Sequence, residues 1–340
     1  MKFLLKIKPK YLITFIILDS LFLFTFTFVL YGPWHGFRDF WITSSMTTMN
    51  HQYLAKWFYT NETIEKVLAQ NYVQESGSMS DPNLIAFKDY NTVIYKNEYE
   101  KQILDREENA LYKVIKIKGS SYNGFLVAIY DPSKISLATT KYLNERGEDI
   151  LTVSKRENAT IAMNAAGFHD PNWMGNGGIP HGTIIQNGKV LGEYKDSKYG
   201  GGFIGFDNDN RLILGKMSTK EAINKGLRDA VEFGPFLIVN GKRSFVKGNG
   251  GWGLAPRSAI GQRQDGIVLF LVINGRIATS IGADMNDLCD IMENYGAYNA
   301  SNLDGGASSE LVIKNKIINT PVAGGDKGLR TMPAFWIVKE

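Results

Sequence analysis

Asp304 closes the extended run Asn302-Leu303-Asp304 and is followed by Gly305-Gly306, Ala307 and Ser308-Ser309. A carboxylate at a strand end beside two glycines can face a ligand directly, because backbone without a Cβ permits close approach. The hydroxyls and amides that follow can donate to an anion. Arg257, in Pro256-Arg-Ser-Ala-Ile-Gly261, follows the glycine cluster Gly248-Asn-Gly-Gly-Trp-Gly253. A guanidinium fork reads a phosphate through paired charge-assisted hydrogen bonds. Glu232, in Val231-Glu-Phe-Gly-Pro235, is a second available carboxylate. In the third stretch, Ile161-Ala-Met-Asn164 runs into a loop rich in Gly, Asn and Pro that ends at His181-Gly182. A loop of that length inside a domain is more often functional than accidental. Its Asn164, His169, Asp170, Asn172 and His181 suit recognition of hydroxyl groups. Each feature alone has an ordinary structural alternative. Asp-Gly-Gly is a common turn, a lone arginine is commonly a surface ion-pair partner, and Glu232 could be a satisfied strand-edge acid.

These residues need a scaffold of short strands. Leu111-Tyr-Lys-Val-Ile-Lys-Ile-Lys118, Phe125-Leu-Val-Ala-Ile-Tyr130 and Ile135-Ser-Leu-Ala-Thr139 are β-type runs closed by glycine or Asp-Pro. Of the 35 glycines, 29 lie between Gly167 and Gly328, so turns dominate that half. Hairpins are expected over Ile184–Leu191, Leu237–Lys242, Leu271–Ile277 and Leu311–Ile318, the first three with Asn-Gly at the turn, and a fifth about Asp265-Gly266. Helical spacing is scarcer. Leu288, Met292 and Tyr295 form one stripe of Asp287–Tyr295, with Gly296 as the stop, and Cys289 beside the stripe reads as a small core residue. A further helix is expected within Lys141–Ala159. The expected class is α+β, with mixed or antiparallel sheets, hairpins and a few helices, preceded by a single transmembrane helix.

With 38 Lys plus Arg against 34 Asp plus Glu, the net charge of +4 over 340 residues is too weak to imply nucleic acid. One Cys excludes a disulfide framework and any multi-Cys zinc or iron–sulfur site. Lys2, Lys6, Lys8 and Lys10 precede twenty predominantly apolar residues, Tyr11–Leu30, long enough to cross roughly 30 Å of hydrocarbon. Asp19 costs about 3 kcal/mol, and the Leu, Ile, Phe and Val residues return about 0.3–0.6 kcal/mol each, so insertion wins. The expected layout is a cytoplasmic tail (1–10), an anchor (11–31), a stalk or linker (32–106) and an extracellular domain (107–340). A cleaved signal peptide is the competing reading, weakened by the absence of a small-residue cleavage site at Tyr31-Gly-Pro-Trp-His35. An exported chain without disulfides suits a bacterial surface.

Taken in order from about Leu111 to Val338, the motifs resemble the phosphodiester glycosidases, the family of the enzyme that uncovers mannose 6-phosphate by removing N-acetylglucosamine. Bacterial relatives are often labelled exopolysaccharide-biosynthesis proteins. The residues are Asn164-Ala-Ala-Gly-Phe168, Gly234-Pro235, Asn240-Gly241, Pro256-Arg-Ser-Ala-Ile-Gly261, Asn302-Leu-Asp-Gly-Gly-Ala-Ser-Ser309 and Arg330-Thr-Met-Pro-Ala-Phe-Trp-Ile-Val338. Ala165, Ala166 and Ala307 stand where many members have glycine. The resemblance implies hydrolysis of a sugar-1-phosphodiester at the anomeric carbon of a surface glycan or glycolipid. It assigns Asp304 as nucleophile or base, with Glu232 as reserve acid. Arg257 and Arg330 then hold the phosphate, Asn164 and His181 take sugar hydroxyls, and Gly167, Gly305, Gly306, Ser308 and Ser309 complete the substrate-binding set. No cofactor is implied. A divalent ion stays open, with His169, Asp170 and His181 as available ligands for metal-dependent cleavage on the phosphate side. A non-catalytic carbohydrate-binding protein, using aromatics such as Trp173 or Trp252, is the other alternative.

Overall fold

In the run Val268-Leu-Phe-Leu-Val-Ile273 every side chain is apolar and buried, so the strand it forms must be covered on both faces. Val268, Phe270 and Val272 join one core, and Leu269, Leu271 and Ile273 join another. The structure is a computed structural model and describes residues 9–48, 51–87, 95–169, 176–192, 201–322 and 328–340. Contacts divide the chain into two units that meet in sequence at Gln70 and Asn71.

The larger unit is α+β, as expected, and each pairing among its described strands is antiparallel. A seven-stranded sheet runs in the order Lys242–Arg243, Phe236–Val239, Ala297–Asn302, Arg257–Arg263, Val268–Ile273, Asn123–Ile129 and Tyr112–Lys118. One five-stranded sheet holds Ile161–Asn164 between Leu311–Ile313 and Ala334–Val338, and another centres on Leu227–Phe233. The three sheets bury one face each in a shared core, where Trp336 meets Phe206 edge-on with ring centroids 5.5 Å apart. The far side of the seven-stranded sheet is covered by the helix Met285–Asn294, begun by an Asp284 capping box and followed by Gly296 at φ +79°. Cys289 lies in that core, fully buried. The helix expected within Lys141–Ala159 is Ile150–Arg156.

The turns explain the hairpins. Asn187-Gly188, Asn240-Gly241 and Lys314-Asn315 all take positive φ at both positions, the backbone that two-residue hairpins require. Asp265-Gly266 lies between the paired strands Arg257–Arg263 and Val268–Ile273. The hairpin expected over Leu271–Ile277 does not form. After Ile273 it is Arg276, not Asn274-Gly275, that is left-handed, at φ +57°. The next bridge joins Ile277 to Ser280. Gly275 serves close approach instead, since a Cβ there would lie 2.4 Å from the Pro256 nitrogen.

The stretch 32–106, read from sequence as a spacer, divides at the unit boundary. Tyr72–Gln74 pairs with Phe245–Lys247, Glu75 accepts from the Phe236 amide at 3.0 Å, and Ile85, Ile103 and Leu104 are buried. A three-residue strand and isolated apolar residues carry too little periodicity to be recognised. In the smaller unit the helix Pro9–Tyr31 is long and apolar enough to cross a membrane. It is followed by His35–Met46, Tyr53–Lys56 and Asn61–Gln70, packed about Leu30, Ile42, Ala55, Tyr59, Ile64 and Val67.

Candidate active site

The strand Ala297–Asn302 lies in the middle of the seven-stranded sheet, and its end is pinned. Asn302 donates from Nδ2 to the Gly234 carbonyl at 2.9 Å, and the amide of fully buried Leu303 donates to the Ser258 carbonyl at 2.9 Å. Asp304 is the first residue beyond the strand to reach solvent, and it is half-buried. The two glycines behind it have separate reasons. Gly306 sits at φ +64° and donates to the Pro256 carbonyl at 2.8 Å, and a Cβ on Gly305 would stand 3.0 Å from that same oxygen. Gly306–Ser308 then turns through a short 3₁₀ segment.

Burial pushes the Asp304 carboxyl above its ordinary range, and the Ser308 hydroxyl, Arg330 and the Gly305 amide offset part of that rise. Asp304 is thus half-buried as a residue, with its carboxyl in crowded surroundings. Three guanidinium groups are coupled beside it. Arg330 acts on both Asp304 and Arg276, and Arg276 acts on Arg257. Sequence reasoning missed Arg276, which stood only as the residue after an Asn-Gly turn. It is exposed, and a Cβ on Gly306 would lie 3.6 Å from its Nη atoms. Its pKa is pushed down by crowding and by Arg330. Arg330 lies over the Phe168 ring at 4.7 Å.

Arg257 differs from the phosphate-holding role expected of it. It is only 4% exposed, and it donates from Nε to Ala283 (3.1 Å) and from Nη2 to the Trp252 and Gly253 carbonyls (2.5 and 2.7 Å). Burial and Arg276 push it down to about 9, so it stays charged at neutral pH. With two of its nitrogens committed to carbonyls, it clamps the glycine-rich loop and packs against Trp252, which touches Phe233.

Asn164 is also fully buried, and its amide is committed to the protein. Nδ2 donates to the Asp304 carbonyl at 2.6 Å, and Oδ1 accepts from the Ser258 hydroxyl at 2.6 Å and the Glu310 amide at 3.3 Å. It therefore ties the strand Ile161–Asn164 to the Asp304 loop and to the strand that begins at Arg257, and its full burial keeps it from a sugar hydroxyl. Glu310 was the second omission. It is fully buried, accepts from the Arg330 amide at 2.8 Å through Oε1, and has no hydrogen-bond partner at Oε2 among the described residues. Burial, with Asp149 adding to it, pushes its carboxyl up to about 8, so it is largely protonated at neutral pH. A Glu heading an apolar strand looks solvent-facing in sequence, and nothing there signals its burial. Ser309 is buried, and its side-chain oxygen has no hydrogen-bond partner among the described residues.

Around Phe168 the chain returns as a short hairpin. Phe168–His169 pairs with Ile179–Pro180, and the His181 amide donates to the Gly167 carbonyl at 2.8 Å. The His169 and His181 rings meet edge-on at 5.8 Å, and burial together with His169 lowers the His181 pKa. Gly167 is required because a Cβ would strike the Phe233 ring at 2.8 Å. Glu232 braces this loop. Its Oε2 accepts from the Thr183 amide at 2.5 Å, and its described contacts are with Gly182 and Thr183 rather than with Asp304 or the arginines. Asp170, Asn172 and Trp173 lie outside the described residues. Among the described residues no three His, Cys, Asp or Glu side chains are grouped to hold a metal ion.

The chain is similar to known proteins in both sequence and fold. The SPbeta prophage-derived uncharacterized protein YomE of Bacillus subtilis (strain 168) is 30% identical over 198 residues, which are 56% of this chain and 30% of that protein. The chain thus spans less than a third of that relative's length. The catalytic domain of zebrafish N-acetylglucosamine-1-phosphodiester alpha-N-acetylglucosaminidase, solved in a form auto-inhibited by its pro-peptide, superposes with a TM-score of 0.58. It is 17% identical over 78% of this chain and 91% of that one, a likeness of fold. Residues 157–339, more than half of the chain, match the phosphodiester glycosidase family. By that match, the protein belongs to the phosphodiester glycosidases.

Proposed function

We propose that the protein is a membrane-anchored hydrolase that cleaves a sugar-1-phosphodiester at the anomeric carbon, releasing the sugar and leaving a phosphomonoester. The observation that carries this reading is one half-buried acid, Asp304, beside guanidinium groups of which Arg276 is exposed and Arg330 half-buried. Glycosidases that expel an alcohol need a carboxylic acid to protonate it. A phosphate is already a weak base, so cations that stabilise its charge replace the acid. Asp304 attacks the anomeric carbon or activates water there. Arg276 and Arg330 hold the departing phosphate, whose charge relieves the repulsion between them. Arg257 and Asn164 hold the pieces in register, and His181 with His169 borders the sugar side.

Retention of the apolar helix fits its packing. Leu30 is 4% exposed within the core of the smaller unit, and the Tyr59 hydroxyl donates to its carbonyl at 3.0 Å. Cleavage after the helix would open that core. An outward-facing domain and a surface glycan or glycolipid substrate complete the reading.

The test is product analysis of the full chain in detergent with a panel of sugar-1-phosphodiesters. Free sugar plus phosphomonoester is expected. Sugar phosphate plus alcohol would indicate attack on phosphorus, and no turnover with retained binding would indicate a carbohydrate-binding protein. Arg276→Ala is expected to lower kcat/KM about 10- to 100-fold, the loss of one charge-assisted contact, with an unchanged melting temperature. An effect below twofold would remove Arg276 from the phosphate site.

A further inference from the structure

We propose that the described residues between 32 and 60 form a lipid-interface collar rather than a water-exposed stalk, with Trp34, Tyr53 and Trp57 seated in the headgroup layer of the membrane. This rests on reading Pro9–Tyr31 as a retained membrane span. The collar is fixed to the end of that helix. Gly32 donates to the Phe28 carbonyl at 2.8 Å and turns the chain, and the Tyr31 hydroxyl donates to the Phe58 carbonyl at 2.9 Å. The Tyr31 and Tyr59 rings meet at 5.9 Å. Phe58 reaches Phe26, with ring centroids 5.8 Å apart. Phe26 lies five residues before Tyr31, about 7 Å back along the helix axis. The chain around Phe58 therefore overlaps the last turns of a helix whose sides are apolar and exposed.

The exposed rings fit that depth. Trp57, adjoining Phe58, is 71% exposed, Trp34 is 61% and Tyr53 is 43%, and the Tyr53 and Trp57 rings stand 4.7 Å apart. A chain of contacts links Trp34 through Phe37 and Trp41 to Phe58 and so to the apolar helix. Indole and phenol rings pair an apolar body with a polar tip, which suits the boundary between hydrocarbon and water. Lys56 is exposed beside them and can face lipid phosphate.

Single spin labels on the full chain in phosphatidylcholine–phosphatidylglycerol vesicles test the collar. Cys289 is buried and its thiol pushed up to about 12, so introduced cysteines label selectively. Labels go at Trp34→Cys and Trp57→Cys, both exposed positions, with Phe22→Cys as the buried-in-lipid reference and Glu65→Cys as the aqueous one. Collision with oxygen relative to a water-soluble nickel chelate reports depth. The ratio at positions 34 and 57 should lie severalfold above that at 65 and below that at 22. Values at 34 and 57 equal to that at 65, with 22 deep, would overturn the collar while leaving the anchor standing. An aqueous reading at 22 would overturn both.

Discussion

Asp304→Asn should fold with at least the stability of the parent and lose turnover by about 10³-fold or more. The substitution keeps shape and removes only charge. Because burial raises the Asp304 pKa, ionising it opposes folding, so the amide relieves a penalty instead of creating one. Loss of a general base costs about 10²–10⁴-fold and loss of a nucleophile more. The pH profile adds an independent sign. In the parent, the acidic limb of kcat/KM should lie above the ordinary carboxylate range, since the base works only when ionised and its pKa is raised. Residual activity of the Asn variant should lack that limb. Turnover within tenfold of the parent would end the assignment.

Glu310→Gln should flatten the fall of stability with pH. The folded-state pKa of Glu310 is about 8 against an ordinary 4.5. Below the lower value the carboxyl is protonated in both states. As pH rises from there to about 8, the unfolded chain releases a proton that the folded chain retains, so the parent loses stability across that window and levels off above it. At about 1.4 kcal/mol per unit, the loss is on the order of 3–5 kcal/mol. Glutamine preserves the acceptor for the Arg330 amide and cannot ionise. Urea unfolding from pH 5 to 9 should therefore show the variant gaining on the parent by that amount, and parallel curves would contradict it. The same proton has a catalytic consequence. While Glu310 is neutral, it does not compete with a phosphate for Arg330. Ionisation above pH 8 should raise KM in the parent and leave the variant unaffected.

The acid was legible because its neighbours had to be glycine. Asp-Gly-Gly after an extended run marks a left-handed position at Gly306 and close approach at Gly305, and the structure has both beside Pro256. The hairpins at Asn187-Gly188 and Asn240-Gly241 were legible for the same conformational reason. Asn274-Gly275 carried the same signature for a different purpose. Its glycine makes room for Pro256, and the left-handed turn passes to Arg276, whose guanidinium thereby reaches the Gly306 side of the site. Arg257 shows the other limit. A guanidinium at a strand start reads identically whether it meets a phosphate or three main-chain carbonyls, and only the burial of the glycine-rich loop decides. Asn164 and Glu310 belong with it, since their roles come from what other strands place around them. The start of the larger unit at Asn71 was hidden because Tyr72–Gln74 is too short to show alternation.

Hydrolysis in ¹⁸O-water, with each product weighed by mass spectrometry, reports directly which bond breaks. Cleavage between the anomeric carbon and oxygen, with Asp304 at the carbon and arginines on the departing phosphate, predicts the heavy oxygen in the sugar hemiacetal and none in the phosphomonoester, scored at early times before the hemiacetal exchanges. Heavy oxygen in the phosphomonoester would mean attack at phosphorus, and would contradict the arrangement of acid and cations proposed for this site.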